Sequence, residues 1–183
     1  MTTKLWWSLS TECRDIRLQE FLPEDARILF KLIDRNREYL KHLRAENPEK
    51  YPSYSAVHRS IAHPAESDRK RFGIWCRGVL AGMISNTPLK ERPWIAEVDY
   101  WVGEEFCGQE VATLATRAVV TKAHELVGAN EIVACILRRN EASERVLEKT
   151  GFSLLQEDSQ HRYFQMAAPV EQALVAEKTE RRG

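Results

Sequence analysis

The sequence predicts an α/β fold: a mixed, mostly antiparallel twisted sheet with a central parallel strand pair, flanked by helices. Three observations predict it. Two apolar runs, Phe72–Cys76 and Val79–Ile84, flank Arg77-Gly78, a two-residue hairpin signal. A long helical pattern over Val111–Val127 leads into Glu131–Leu137, read as an apolar strand buried on both faces, as parallel strands are. The order of elements is a strand, two helices, three antiparallel strands, a helix, a strand, a helix and two strands, which places the parallel pair mid-sheet.

Each element has its local signal. Residues 1–12 read as a leader strand or ordered tail, with Trp6 and Trp7 packed on the domain. Ile16 and Leu18 alternate with Arg17 and Gln19, the period of a strand. Pro23-Glu24-Asp25 opens a helix, with both carboxylates in capping positions and Ile28, Leu29, Leu32 and Ile33 on one face. A second short helix carries Tyr39, Leu40 and Leu43. The stretch 45–70, rich in Pro, Ser and His, holds a helix near 54–62 and is otherwise mobile and weakly determined. After the hairpin come a loop at 87–94 and a strand from Ala96 to Val102. The long helix turns Ala112, Ala115, Ala118 and Val119 inward. A helix over 141–150, a strand over 151–156 and a last strand, His161–Ala167, complete the chain.

Composition bounds the function. At 183 residues the chain suits one domain with a real core. Lys and Arg number 27 against 27 Asp and Glu, so no global field draws it to nucleic acid or anionic lipid, and any anion site must be local. Cys13, Cys76, Cys107 and Cys135 stand far apart with no C-x-x-C pair, which argues against a metal site or a disulfide framework and fits a reducing cytoplasm. No apolar run approaches ~18–20 residues, and the start of the chain does not read as a signal peptide, so no membrane partner is expected.

The most informative stretch is 138–152. Asn140 is a natural helix N-cap, Val146 and Leu147 give the apolar stripe, and Gly151 falls where a left-handed C-cap belongs. Asn140, Ser143, Glu148, Lys149, Gly151 and Phe152 match N-x-x-S-x-x-x-x-E-K-x-G-F, and the segment resembles motif B of the GNAT (GCN5-related) N-acetyltransferases. The element order resembles theirs too. Tyr100-Trp101-Val102, Phe106, Gly108 and Val111-Ala112-Thr113 resemble the pattern of the branch containing the ribosomal-protein N-terminal acetyltransferases. So does Asn36-Arg37-Glu38-Tyr39-Leu40 in the second helix. The resemblance runs from about Asp15 to Met166 and implies a single domain over 1–183, with a core of about 14–167 and 168–183 as a solvated tail that includes Glu177–Arg182.

The resemblance implies a site for acetyl-CoA. Trp101 and Val102 end the strand that holds the acetyl carbonyl, and the turn Cys107, Gly108, Gln109, Glu110 with Val111, Ala112 and Thr113 holds the pyrophosphate on free amides at a helix N-terminus. Two positions depart from the pattern. Cys107 replaces Gln or Arg, and Glu110 replaces a Gly that lets the backbone approach the phosphates. A carboxylate ~4 Å from a phosphate charge costs about 1 to 4 kcal/mol as the effective dielectric falls from 80 to 20. Glu110 avoids this by turning into solvent, and Cys107 reads as a small apolar substitute.

The same resemblance assigns Asn140 to the pantetheine arm or an ordered water, and Ser143 to protonation of the departing thiolate; a solvent-facing helix residue is the competing reading of Ser143. Glu97 and Asp99, two apart on one strand face, are the candidates for the general base, or else a structural pair for nearby arginines. Asp99 stands where relatives have Gly. The hairpin with Glu157, Asp158 and His161, where some relatives place their base, reads as short. His58 and His63 are expected at the surface, and His42 and His124 as satisfied helix residues.

The expected function is transfer of acetyl from acetyl-CoA to a primary amine, a protein N-terminus or a small amino compound, with no metal; a homodimer is compatible with this. The groove, bounded by 36–63 and 96–102, should take an uncharged or cationic amine. The rival is a degenerate GNAT fold that binds a ligand or partner without catalysis, motivated by Cys107 and Glu110. A third reading keeps the transfer and changes the acyl group.

Overall fold

A computed structural model of the chain describes residues 7–43, 48–65 and 68–168. Residues 1–6, Trp6 among them, 44–47, 66–67 and 169–183 lie outside the described residues. The strands are β1 (Ser8–Ser10), β2 (Ile16–Glu20), β3 (Lys70–Cys76), β4 (Val79–Leu89), β5 (Arg92–Val102), β6 (Glu131–Leu137), β7 (Ser153–Glu157) and β8 (His161–Ala167). The helices are α1 (Ala26–Arg35), α2 (Arg37–Leu43), α3 (Tyr54–Ala62), α4 (Val111–Thr121), α5 (Ala123–Val127) and α6 (Glu141–Lys149). Eight strands form one sheet in the order β1-β2-β3-β4-β5-β6-β8-β7, antiparallel except for β5 with β6.

Local chemistry builds these elements. Ile16 and Leu18 are buried and Arg17 and Gln19 exposed, as the period of two requires. The β3–β4 turn takes positive φ at both centres, 50° at Arg77 and 78° at Gly78, which is the turn type that twists with its strands. Asp25 accepts the Leu22 N–H at 2.9 Å ahead of α1, and Ser53 accepts the Ala56 N–H ahead of α3. The helix expected near 54–62 is therefore a capped one, with Val57 fully buried.

Each sheet face has its own core. Phe21, Leu29, Ile33, Leu40, Leu80, Met83 and Trp101 cluster under α1–α3. Ile84, Val98, Ala115, Val119, Ile132, Leu147, Phe152 and Phe164 cluster with α4, α5 and α6 on the other face. Trp7 packs against this second cluster.

The structure corrects several expectations. The loop read at 87–94 is a turn at Lys90–Glu91, because Ser85, Asn86 and Thr87 continue β4 despite their polarity. The long helix breaks at Lys122 (φ −105°), one residue after the Thr121 hydroxyl bonds back to the Arg117 carbonyl, a contact that bends helices. Ile28 is exposed and Ala26 takes its place on the buried face of α1. On α4 the buried face is Val111, Thr113, Ala115, Thr116, Val119 and Val120, with Ala112 and Ala118 at its margin. β6 is not buried on both faces: Ile132 and Ala134 are covered, whereas Cys135 is exposed.

One irregularity sets the end of β5. Ile74 pairs with Gly82 and Trp75 with Leu80, so Ala81 is an extra residue in β4, and its carbonyl accepts the Gly103 N–H at 2.8 Å. This bulge presses β4 onto the end of β5. A Cβ at Gly82 would lie 2.2 Å from the Trp101 carbonyl oxygen and 2.8 Å from the Val102 Cα, both backbone atoms. Gly82→Ala should therefore destabilise the protein by ~2–4 kcal/mol, as overpacking against immovable backbone does. Urea titration checks this, and a midpoint equal to that of the unmodified chain would contradict it.

Candidate active site

The parallel ladder between β5 and β6 has three pairs, Ile95 with Glu131, Ala96 with Ile132 and Glu97 with Val133. Both strands run on, β5 to Val102 and β6 to Leu137, without pairing further with each other. They part, and a cleft of about 1240 Å³ opens between them. Its walls include Glu97, Asp99 and Tyr100 from β5, Cys135 and Leu137 from β6, Asn140 and Ser143 from α6, and the turn ahead of α4.

That turn is clamped from α1. Asn36 is buried; its Nδ2 donates to the Leu32 carbonyl at 2.9 Å and its Oδ1 accepts the Glu104 N–H at 3.0 Å. Gly103 gives it room, since a Cβ there would come 3.2 Å from Asn36 Nδ2. Leu40 is buried, and Arg37 donates to Asp34 and to the Tyr51 carbonyl. The Asn-Arg-x-x-Leu pattern is thus a device that fixes the turn to the helical layer.

Beyond the clamp, Phe106 and Cys107 donate to the Gly103 and Glu104 carbonyls and close a short 3-10 turn. Gly108 follows at φ 73°, and Glu110, the N-cap of α4, at φ 59°. The Cys107 thiol lies 2.9 Å from the Tyr39 hydroxyl, which burial and this contact push upward in pKa. Glu110 is exposed, as expected, and there its carboxylate accepts a 2.5 Å hydrogen bond from Lys149 Nζ at the end of α6. That bond, with one from the Thr113 hydroxyl, lowers its pKa. Gln109 lies outside the cleft wall, its side chain donating back to the Glu105 carbonyl at 2.7 Å.

Across the cleft, Asn140 caps α6 by accepting the Ser143 N–H at 3.1 Å. Gly151, at φ 93°, ends the helix, and Phe152 N–H reaches the Leu147 carbonyl at 3.0 Å. Tyr100 spans from β5 to this helix, its hydroxyl donating to the Ser143 carbonyl at 3.2 Å. Burial pushes its pKa up, so it remains a donor at neutral pH.

Glu97 stands at the apex where the ladder ends. It is half-buried, and desolvation raises its pKa against the opposing pull of Arg69. Arg69 in turn donates to Ser85 at 3.0 Å, so cation, hydroxyl and carboxylate share the floor of the cleft with Asp99. His161 and Tyr163 of β8 also line it. His161 Nδ1 is 3.5 Å from Asp158, whose pKa is held at about 2 by the backbone N–H groups of Gln160 and His161. His58, His63, His42 and His124 lie outside the cleft wall.

No sequence signal gave the Tyr100 side chain, Lys149 or Arg69 a part in the site, although the strand Tyr100–Val102 was expected to offer its backbone. Each meets its partner at a distance that leaves no local pattern: 43 residues from Tyr100 to Ser143 and 39 from Glu110 to Lys149.

Comparison with known proteins agrees with this geometry. Residues 15–153 match the Acetyltransferase (GNAT) domain family. The chain belongs to the GNAT acetyltransferases. It is 34% identical over 141 residues, 75% of this chain and 76% of its relative, to YdaF of Bacillus subtilis (strain 168), named as a ribosomal N-acetyltransferase. It is 22% identical to spermidine N(1)-acetyltransferase of Escherichia coli (strain K12), over 81% of this chain and 78% of that one. The solved structure of RimL, the ribosomal L7/L12 α-N-protein acetyltransferase, in complex with coenzyme A, superposes with a TM-score of 0.76 at 17% identity, covering 87% of this chain and 97% of that one. The fold is the GNAT fold, the chain falls in the ribosomal-protein N-acetyltransferase branch, and it is an acetyl-CoA-dependent N-acetyltransferase.

Tyr100 bridges the mouth of the cleft, hydrogen-bonded from β5 to the first turn of α6. Tyr100→Phe keeps the ring and removes that bond. It should lower stability by about 1 kcal/mol and acetyl transfer by ~3–10-fold. Thermal melts and turnover measured together check this; unchanged values of both would show that α6 is positioned without it.

Proposed function

We propose that the chain moves acetyl from acetyl-CoA to an uncharged or cationic primary amine, with Glu97 as general base and Ser143 as proton donor to the thiolate. The observation that carries this is the place of Glu97, the last residue of β5 that pairs with β6, at the apex of the cleft that Asn140 and Ser143 close from the other side. Burial raises its pKa above the ordinary carboxylate value, which strengthens it as a base.

In this reading the pyrophosphate lies on the turn 107–113, held by the amides of Gly108, Glu110 and Ala112, by the N-terminus of α4 and by Lys149. The pantetheine arm runs between the parted strands past Asn140. A backbone N–H of the segment Tyr100–Val102 polarises the thioester carbonyl. Glu97 takes a proton from the amine as its nitrogen forms the bond to the acetyl carbon. The carbon–sulfur bond then breaks, and Ser143 Oγ gives the thiolate its proton. Asp99 adds negative charge to the acceptor side, which favours cationic amines and disfavours acidic ones.

Support for the acceptor class comes from the relatives, one named for ribosomal proteins and one for spermidine, both amine acceptors. The composition fits work in the cytoplasm.

Glu97→Gln should lower turnover by ~10²–10³-fold and abolish the acidic limb of the kcat/KM profile, which in the unmodified chain lies above the usual carboxylate range. A limb that survives in Glu97→Gln and is lost in His161→Gln would transfer the role to His161, backed by Asp158. The raised pKa also carries a stability signature. The folded state holds the Glu97 proton more tightly than the unfolded one, so stability falls as pH rises from the ordinary value through the folded one. Glu97→Gln should therefore gain on the parent protein across that window in thermal melts.

Ser143→Ala should reduce turnover by ~10–100-fold with little change in acetyl-CoA affinity. Calorimetric titration with acetyl-CoA tests the whole reading: no binding would favour the non-catalytic alternative that Cys107 and Glu110 suggest.

A further inference from the structure

The turn that would receive the pyrophosphate already holds an anion of its own. Glu110 sits at the N-cap of α4 in the left-handed region, where a non-glycine residue is strained. Its carboxylate is held by Lys149 Nζ from the end of α6, and the Thr113 hydroxyl, one turn in, helps to lower its pKa. Arg117, a turn further along α4, adds a favourable charge. The ammonium that a phosphate at this turn would use is thus already paired with a carboxylate. Glu110, Thr113 and Lys149 all lie in the cleft wall.

We propose that Glu110 is an internal competitor for the pyrophosphate site: in the free protein its carboxylate holds Lys149, and acetyl-CoA binds by taking Lys149 from it. This rests on the placement of acetyl-CoA at the turn 107–113. The pair sets acetyl-CoA affinity without touching the reacting atoms, so Glu110 determines how strongly the rate follows the concentration of acetyl-CoA. Lys149 becomes a phosphate-binding residue that is delivered only when the carboxylate lets go.

The test is calorimetric binding of coenzyme A, which reads affinity without turnover. Four proteins are compared: unmodified chain, Glu110→Gln, Lys149→Met and the double variant. Gln keeps the length and the backbone strain of Glu and removes only the charge, so strain relief cannot mimic the result. Glu110→Gln should bind coenzyme A about threefold more tightly, the scale of releasing an exposed ion pair. Lys149→Met should weaken binding about threefold in the unmodified background and about tenfold beside Glu110→Gln, where Lys149 is no longer held. Equal losses from Lys149→Met in both backgrounds, or no tightening in Glu110→Gln, would overturn the competition while leaving the acetyl-CoA site standing. Absence of binding by all four proteins would instead overturn the site and the competition together.

Discussion

The parting of β5 from β6 is the constraint on which the site depends. A parallel pair is stable when its ladder continues and its faces are covered. Here the ladder stops at Glu97 and Val133, and the two strands then belong to different neighbours, β5 to β4 and β6 to β8. Facing strand edges are left to bind something other than each other, and the side chains of the candidate site gather around that gap. The bulge at Ala81 sets one side of it. By accepting the Gly103 N–H, Ala81 keeps the end of β5 on β4 where the chain enters the turn ahead of α4. Asn36 and Gly103 then lock the turn against α1. The turn ahead of α4 and the apex of the cleft are thereby held by separate contacts.

Electrostatics is local for the same reason. With charges balanced over the whole chain, no long-range field assists an anionic cofactor. Attraction must come from the helix N-terminus and Lys149, close to the turn. The acceptor side is built the other way, with Glu97 and Asp99 on the floor and Arg69 beside them, and burial there keeps the Glu97 proton affinity high. In the proposed reading one cleft has an anion-binding end and a proton-accepting apex, an arrangement that a thioester donor and an amine acceptor both require.

How much of this was legible in the sequence depends on the range of each interaction. The cap at Asn140, the stop at Gly151 and the Arg77-Gly78 turn are set by neighbours within a few residues, and their patterns matched the structure. The three-stranded meander and the helix near 54–62 were legible for the same reason. Ser85 and Asn86 misled because polar residues at the end of a strand look like a loop; Ser85 is satisfied by Arg69, 16 residues away. β6 misled because an apolar run reads as buried on both faces, whereas one face of this strand opens toward the cleft. The Asn36 clamp spans 68 residues, so the motif was visible and its purpose was not.

The turn ahead of α4 also shows what its glycines are for. From the pattern alone, glycine there makes room for phosphates. In the structure a Cβ on Gly108 would meet no described atom within 4 Å, yet φ is 73°, so the free protein demands glycine for conformation rather than space. Glu110 answers the same demand at φ 59° without being glycine. The strain this entails is offset by contacts made after the backbone has turned: Lys149 and Thr113 hold the carboxylate, and Lys149 reaches it only because α6 packs against α4. Replacing glycine with glutamate thus exchanges a freely adopted turn for one tied to the far wall of the cleft. The fold accommodates Glu110 in the left-handed region with this exposed tie to Lys149 in place. Its effect falls instead on whatever must enter between those two helices.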